Sequence, residues 1–437
     1  FFSSRRRHTR LRTVTGVQTC ALPICISMNK LITVTTLGLM LSASPIAMAS
    51  SNAEIEALQA QVRQLTATLQ KMNSKIDNLS AGQAENKKAV EKKSKLASWT
   101  ERTKIKGDLR YRYENTNIDR DEERERHRIR ARFGVFSKVN DQVDIGIQLA
   151  TGGPDNATST NETLDASFGT KDINLDLAYF NWHASKNLDV LGGKVKNPFF
   201  RPGKSYLIWD GDVRPEGLAI KFENDAFFVN GGAFYLDEQS DDNAGETYLF
   251  AGQAGGKLKL GNAKAKLGLS YYHYEGIEDN NVDGLVTGNN TTVNNRFEND
   301  FEILEAFGEV KTKVSGLPFT VFADYAVNIA ANDDRANNGD NDTAWMLGFK
   351  LGKAKARGSW EVGYRYQDIE KDAVVSDLND GDFASGNTDS KGHAYNVAYA
   401  IDKNWKFGLT YFDTTFNVDQ GVETDSDILQ ADIKFKF

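Results

Sequence analysis

The chain has 437 residues, 40% of them hydrophobic and 26% charged, with 53 Lys and Arg against 60 Asp and Glu. That length would suit two or three soluble domains, but the mean hydropathy is −0.50 and no apolar run reaches the roughly 18 residues that a multi-helix membrane protein needs. Aromatic residues make up 11% of the chain and there are only two cysteines, which excludes a disordered chain and a disulfide-stapled one. A polar average leaves room for a transmembrane β-barrel, whose strands show lipid only every second side chain.

Residues 1–27 are basic, carry no acidic group and show no apolar period. They resemble the translated read-through of a sequencing adapter and are set aside. Both cysteines, Cys20 and Cys25, lie there. Residues 28–49 read as a signal peptide. Met28-Asn29-Lys30 gives a short positive start, Leu31 to Leu41 an apolar core, and Ala47-Met48-Ala49 a small-x-small cleavage site. From Ser50 on, 47 basic residues (53 less six) face 60 acidic ones, a net charge of −13. That balance argues against nucleic acid as a partner.

Residues 50–82 form a heptad segment. Ile55, Val62, Leu69 and Ile76 occupy a, and Leu58, Leu65, Met72 and Leu79 occupy d. The unbroken 3-4 spacing predicts a short α-helical coiled coil between subunits. Gly82 and the lysine-rich stretch that follows make 83–102 a flexible, solvated linker.

From residue 103 to Phe437 the period changes to two. Trp345, Leu347, Phe349 and Leu351 alternate with small or polar residues, as do Trp405, Phe407, Leu409 and Tyr411. Sixteen strands are expected, near 103–114, 126–138, 142–151, 171–183, 188–196, 216–223, 226–237, 246–259, 263–275, 300–313, 318–330, 342–353, 357–369, 389–401, 404–417 and 426–437. Short turns, such as Gly261-Asn262 and Ser315-Gly316, alternate with long loops at 115–125, 152–170, 197–215, 276–299, 331–341, 370–388 and 418–425. The long loops are rich in Asp, Asn and Gly and read as solvated rather than metal-binding. Strict alternation of short and long connections, with an even strand number, predicts a closed antiparallel outer-membrane barrel, all-β beyond the heptads. Leu429, Ala431, Ile433, Phe435 and Phe437 share one face of the last strand. A terminal aromatic closing an alternating strand resembles the signal read by the outer-membrane barrel assembly machinery.

The segment from Gly193-Lys194-Val195-Lys196-Asn197-Pro198-Phe199-Phe200 through Trp209-Asp210-Gly211-Asp212-Val213-Arg214-Pro215-Glu216-Gly217 resembles the third-loop region of a family of Gram-negative putative porins. The layout of signal, heptads, barrel and terminal Phe is similar to that family's. The resemblance implies passive diffusion of small hydrophilic solutes across the outer membrane, as a homotrimer in the membrane lipid, with the third long loop folded into the lumen.

Side-chain direction predicts the pore lining. With Ile105, Leu109, Tyr111 and Tyr113 towards lipid, Lys104, Lys106, Asp108, Arg110 and Arg112 point inward. With Ile129, Ala131, Phe133 and Val135 towards lipid, Arg126, Arg128, Arg130 and Arg132 also point inward. Each such charge would cost about 2–4 kcal/mol at the bilayer midplane. Lys194 and Lys196 add inward positive charge, and Asp210, Asp212 and Glu216 of the third loop face this basic wall. With the third loop folded into the lumen as the resemblance implies, a field across the gap would sort solutes by charge and dipole, or the Asp–Arg pairs would simply hold the loop in place; the two readings can coexist. The histidines His127, His183, His273 and His393 sit in no hydrolase or metal frame, and no cofactor is expected. A barrel hydrolase and an adhesive or tethering barrel are the alternatives.

Overall fold

A computed structural model describes residues 51–154, 156–238, 246–282, 285, 288–331, 341–418 and 421–437. Residues 1–27, expected as adapter read-through, and residues 28–49, expected as a signal peptide, lie outside the described residues. The first element is one helix, α1, Ser51–Arg102. It carries the heptads as expected but does not stop at Gly82. The stretch 83–102, expected as a linker, continues the helix, because Ala, Gln, Glu and Lys are strong helix formers that outweigh one glycine, which costs about 1 kcal/mol. Val62, Leu65, Leu69, Met72, Ile76 and Leu79 are all exposed. No described helix is long and apolar enough to cross a membrane.

Among the described residues, sixteen long strands follow and form the barrel, with three two-residue strands in the loops. The barrel strands are β1 Thr103–Ile118, β2 Arg124–Lys138, β3 Val143–Thr151, β4 Ile173–His183, β5 Leu188–Lys194, β6 Glu216–Glu223, β7 Phe227–Asp237 and β8 Thr247–Leu260. The second half is β9 Ala263–Glu275, β10 Phe301–Val314, β11 Leu317–Asn328, β12 Thr343–Gly352, β13 Trp360–Ile369, β14 Ser390–Asp402, β15 Trp405–Phe416 and β16 Thr424–Lys436. Each pairs antiparallel with its neighbours in sequence, and β1 also pairs with β16, Leu109 lying opposite both Ala131 and Phe435. The sheet therefore closes and leaves no free edge.

The register agrees with the period-two reading. Leu109, Tyr111, Phe133, Ile147, Leu269, Leu347 and Trp345 are exposed on the outside, where a barrel meets lipid. Asparagines shape the short turns: Asn140 Oδ1 accepts from Gln142 N (2.8 Å) and Val143 N (2.9 Å), and Asn224 repeats this with Ala226 and Phe227. One expected loop is much shorter. Strands β1 and β2 run on as a hairpin, so the connection expected at 115–125 is only residues 119–123. Phe437 exchanges two 3.1 Å backbone hydrogen bonds with Gly107. A Cβ at Gly107 would stand 2.3 Å from the Phe437 ring, so the glycine makes room for the terminal aromatic.

The core sits inside the barrel. Leu207, Ile208 and Trp209 of loop 195–215 pack with Ile277, Val282 and Leu285 of loop 276–300, with Val374, Val375 and Leu378 of loop 370–389, and with wall residues Phe234, Tyr272 and Ile303. Phe199 meets Tyr272 edge-on with ring centroids 5.5 Å apart. These apolar loop residues, at 0–6% exposure, explain why the loops fold inward. Exposed to water outside they would lose that burial, worth about 1.5–3 kcal/mol for a large side chain.

Candidate pore constriction

Three neighbouring strands build a charged wall. Alternation along β1 sends Asp108, Arg110, Arg112 and Glu114 to the interior, and along β2 it sends Arg126, Arg128, Arg130 and Arg132 there. Register sets Asp108 beside Arg132, Arg110 beside Arg130, Arg112 beside Arg128 and Glu114 beside Arg126. On the other side of β1, β16 places Asp432 opposite Arg112 and Lys434 opposite Arg110. Asp108 takes Arg130 Nη2 at 2.8 Å and Arg132 Nε at 2.9 Å. Asp432 holds Arg112 through two bonds, 2.8 and 3.2 Å, the geometry that fixes a guanidinium most firmly.

Loop 195–215 crosses the interior and meets both walls. At one end Phe200 N donates to Gln253 Oε1 (2.7 Å), Gly203 N donates to Glu309 Oε2 (2.9 Å), and Lys350 donates to the Gly203 carbonyl. Gly203 has φ +57°, and a Cβ there would lie 2.3 Å from the Phe322 ring, so the loop backbone rests directly on β11. At the other end Asp212 reaches the arginine wall: Oδ1 lies 3.1 Å from Arg132 Nη1, Oδ2 lies 3.8 Å from Arg130 Nη1, and Thr160 Oγ1 donates to Oδ2 at 3.1 Å. Burial works to raise the Asp212 pKa, but Arg130, Arg132 and Arg214 outweigh it and hold the carboxyl below its ordinary range.

Loop 370–389 joins the same assembly. Asp382 lies 3.2 Å from Arg112, Asp380 pairs with Arg365, and the Leu378 carbonyl accepts from Asp210 N at 2.7 Å. Loop 276–300 is latched to it: Asn290 binds Lys371 O, Val374 O and Ser376 N, each at 2.8 Å. Asp372 accepts from Thr291 N, Thr291 Oγ1 and Asn299 Nδ2. A cavity of about 510 Å³ remains beside the wall, lined in part by Thr160, Asp176, Trp209, Asp212, Arg214 and Leu285.

The expected lining residues thus divide. Arg110, Arg112, Arg128, Arg130, Arg132 and Asp212 come together in the interior. Lys196 joins them, its ammonium 5.8 Å from the Phe136 ring; burial, then Arg214 and Arg132, lowers its pKa. Asp210 does not face the arginines. Its carboxylate accepts from Asp212 N at 2.6 Å, and burial, with Asp380 and Asp212 close by, lifts its pKa well above the ordinary range. Lys194 and Glu216 stand opposite each other and form an ion pair. Glu216 lies opposite the exposed Tyr235 and shares the face of Leu218 and Ile220, so this pair points outward. The expectation for both fails because β5 runs only to Lys194 and β6 already begins at Glu216, so the strand parity carries both away from the lumen.

Other partners were not singled out from the sequence. Arg214 lies 3.1 Å from Asp176, and Glu114 is shared by Arg112, Arg126 and Arg128. Alternation along β1 would have found Glu114. Nothing local in the sequence brings Asp382 to Arg112, 270 positions away.

A sequence-family model described as a putative porin matches residues 116–303 and 299–437. No match was found among curated protein sequences. Among solved structures, OprB of Pseudomonas putida in its high-pH form is similar with a TM-score of 0.51 and 14% identity over 77% of this chain and 94% of that one. A triple mutant of the Rhodopseudomonas blastica porin has a TM-score of 0.45 and 12% identity over 77% of this chain and 100% of that one. Vibrio cholerae OmpT, in a trimer form, has a TM-score of 0.44 and 14% identity over the same shares. The OprB likeness shows the barrel fold; the family match covers most of the barrel. With its sixteen antiparallel barrel strands, this chain belongs to the putative porin family and is a porin of the bacterial outer membrane.

Proposed function

We propose that the chain passes small hydrophilic solutes by passive diffusion through a constriction flanked by the charged wall that Asp212 and the arginines of β1 and β2 build together. One observation carries the reading: Asp212, on a loop anchored to β10–β12, meets Arg130 and Arg132 on β2. Within the roughly 8 Å screening length at physiological salt, a solute beside this wall still meets most of its field. That field orients water and favours solutes whose dipoles follow it. Arginines outnumber the carboxylates that face them, which favours a weak preference for anions.

The short-turn end, with both barrel termini, would face the periplasm, and the acidic long loops the outside. Outer-membrane lipid would cover the apolar face, and Phe437 would present the last strand to the barrel assembly machinery. The exposed heptad stripe from Val62 to Leu79 supports assembly as a homotrimer through α1. Reconstitution in planar bilayers tests the reading. Discrete, ohmic conductance steps with an anion-sided reversal potential are expected. A folded barrel without conductance would overturn it in favour of a tether.

A further inference from the structure

We propose that the level of the barrel occupied by Lys406, Lys434, Arg110 and Arg130 is a saturable subsite for small dianionic oxyanions. The inference rests on the porin reading and deepens it. Four consecutive strands carry a cation at this one level: Lys406 lies opposite Lys434, Lys434 opposite Arg110, and Arg110 opposite Arg130. Partners in register on antiparallel strands have Cα atoms about 4.5–5.5 Å apart, and like charges so placed repel. The row therefore needs negative charge from its surroundings.

The carboxylates beside Arg110 and Arg130 are already engaged. Asp108 takes Arg130 and Arg132, while Asp432 takes Arg112 and, at 2.8 Å, Lys434. Glu114 is divided among three guanidinium groups, and its contacts to Arg128 are 3.4 and 3.5 Å long. Asp382 turns to Arg112. Arg110 hydrogen-bonds the neutral amide oxygen of Asn161 and has no carboxylate within ion-pair distance among the described residues. It is 7% exposed, and its Nε is buried without a hydrogen-bond partner, as is that of its diagonal neighbour Arg128. The unmet charge and the unmet donors thus coincide at Arg110.

The neighbouring Lys434 side chain is 38% exposed, so water reaches the row from that side. Several fixed cations facing one ligand favour a dianion over chloride. Guanidinium forks also give directional bonds to an oxyanion that a halide cannot match. Inorganic phosphate and succinate present this shared chemistry.

The test is planar-bilayer recording in potassium chloride at constant ionic strength, with inorganic phosphate or succinate titrated in at a pH where each is dianionic. A saturable fall in chloride current is expected for the native chain. Arg110→Gln keeps a neutral partner for Asn161 and is expected to weaken the effect at least tenfold. The double variant Lys406→Gln/Lys434→Gln, on two other strands, is expected to weaken it severalfold and serves if Arg110→Gln does not fold, as read from heat-modifiable gel mobility. A native chain that conducts chloride with no saturable response to either oxyanion, or folded variants that respond as the native chain does, would overturn the subsite and leave the porin reading standing. Absence of any conductance would overturn both.

Discussion

Asp212 and Arg132 meet at 3.1 Å, eighty positions apart in the chain. Arg132 also holds Asp108 at 2.9 Å, so one guanidinium ties the inward loop to the strand beside its own. Both side chains are largely buried, at 16% and 17% exposure. Removing one partner of such a pair costs more than the pair contributes, because a buried charge is left uncompensated.

The loop contacts carry a pH dependence. Asp210 has a raised pKa, so the folded state binds its proton more tightly than the unfolded state does. Stability therefore falls as pH rises from about 4, the ordinary Asp range, through the raised value, where an ionised Asp210 faces Asp380 and Asp212. Asp212 is held low, so its contribution is present above the ordinary range and is lost only as pH falls through its depressed value. Asp210→Asn keeps an acceptor for Asp212 N and removes the charge. Its Tm is expected to stay level over the window in which the native Tm declines. Parallel Tm curves would show that Asp210 does not titrate there.

Gly203→Ala places a methyl group against the Phe322 ring at a left-handed backbone position. The expected result is loss of the loop's seat on β11, with a cost of about 1–3 kcal/mol and noisier, larger conductance steps. Unchanged Tm and unchanged steps would mean that the loop does not rest on that wall.

Asn290→Ala strips partners from three backbone groups of loop 370–389. Unsatisfied buried groups cost about 1–3 kcal/mol each. Faster protease cleavage within 370–389 is expected, with the barrel itself intact. Cleavage at the native rate would contradict the latch.

Cysteines at Leu65, Leu69, Met72 and Ile76 test assembly through α1. Cross-linked oligomers are expected at these a and d positions and not at Lys71 or Ser74, which fall at c and f on the outer face. Capture of none would remove the coiled coil from the account. Deleting residues 50–82 is expected to weaken the oligomer and leave a folded barrel.

The barrel was legible because its cause is local. Each strand carries its own period of two, as Trp405, Phe407, Leu409 and Tyr411 show, and Asn140 and Asn224 mark turns by their own side chains. The same parity aims Arg110 and Arg128 inward, on the face where both side chains are largely buried. Lys194 is aimed inward in a strand expected to run to 196, and Glu216 is counted with the third loop, whereas β5 ends at Lys194 and β6 begins at Glu216, which turns both outward. The latch of Asn290 and the pairing of Asp382 with Arg112 were not legible, because they depend on how three loops pack against one another. The helix through 83–102 was missed by weighing Gly82 above the helix formers that follow it.

The most direct test of the charged constriction is the reversal potential across a potassium chloride gradient for the native chain and for Arg128→Ser/Arg130→Ser/Arg132→Ser. Removing the three arginines leaves Asp108, Glu114 and Asp212 with less compensation. The native chain is expected to favour chloride weakly. The folded triple variant is expected to shift towards potassium and to conduct large solutes faster. A folded triple variant with the native reversal potential and the native exclusion of large solutes would contradict the account.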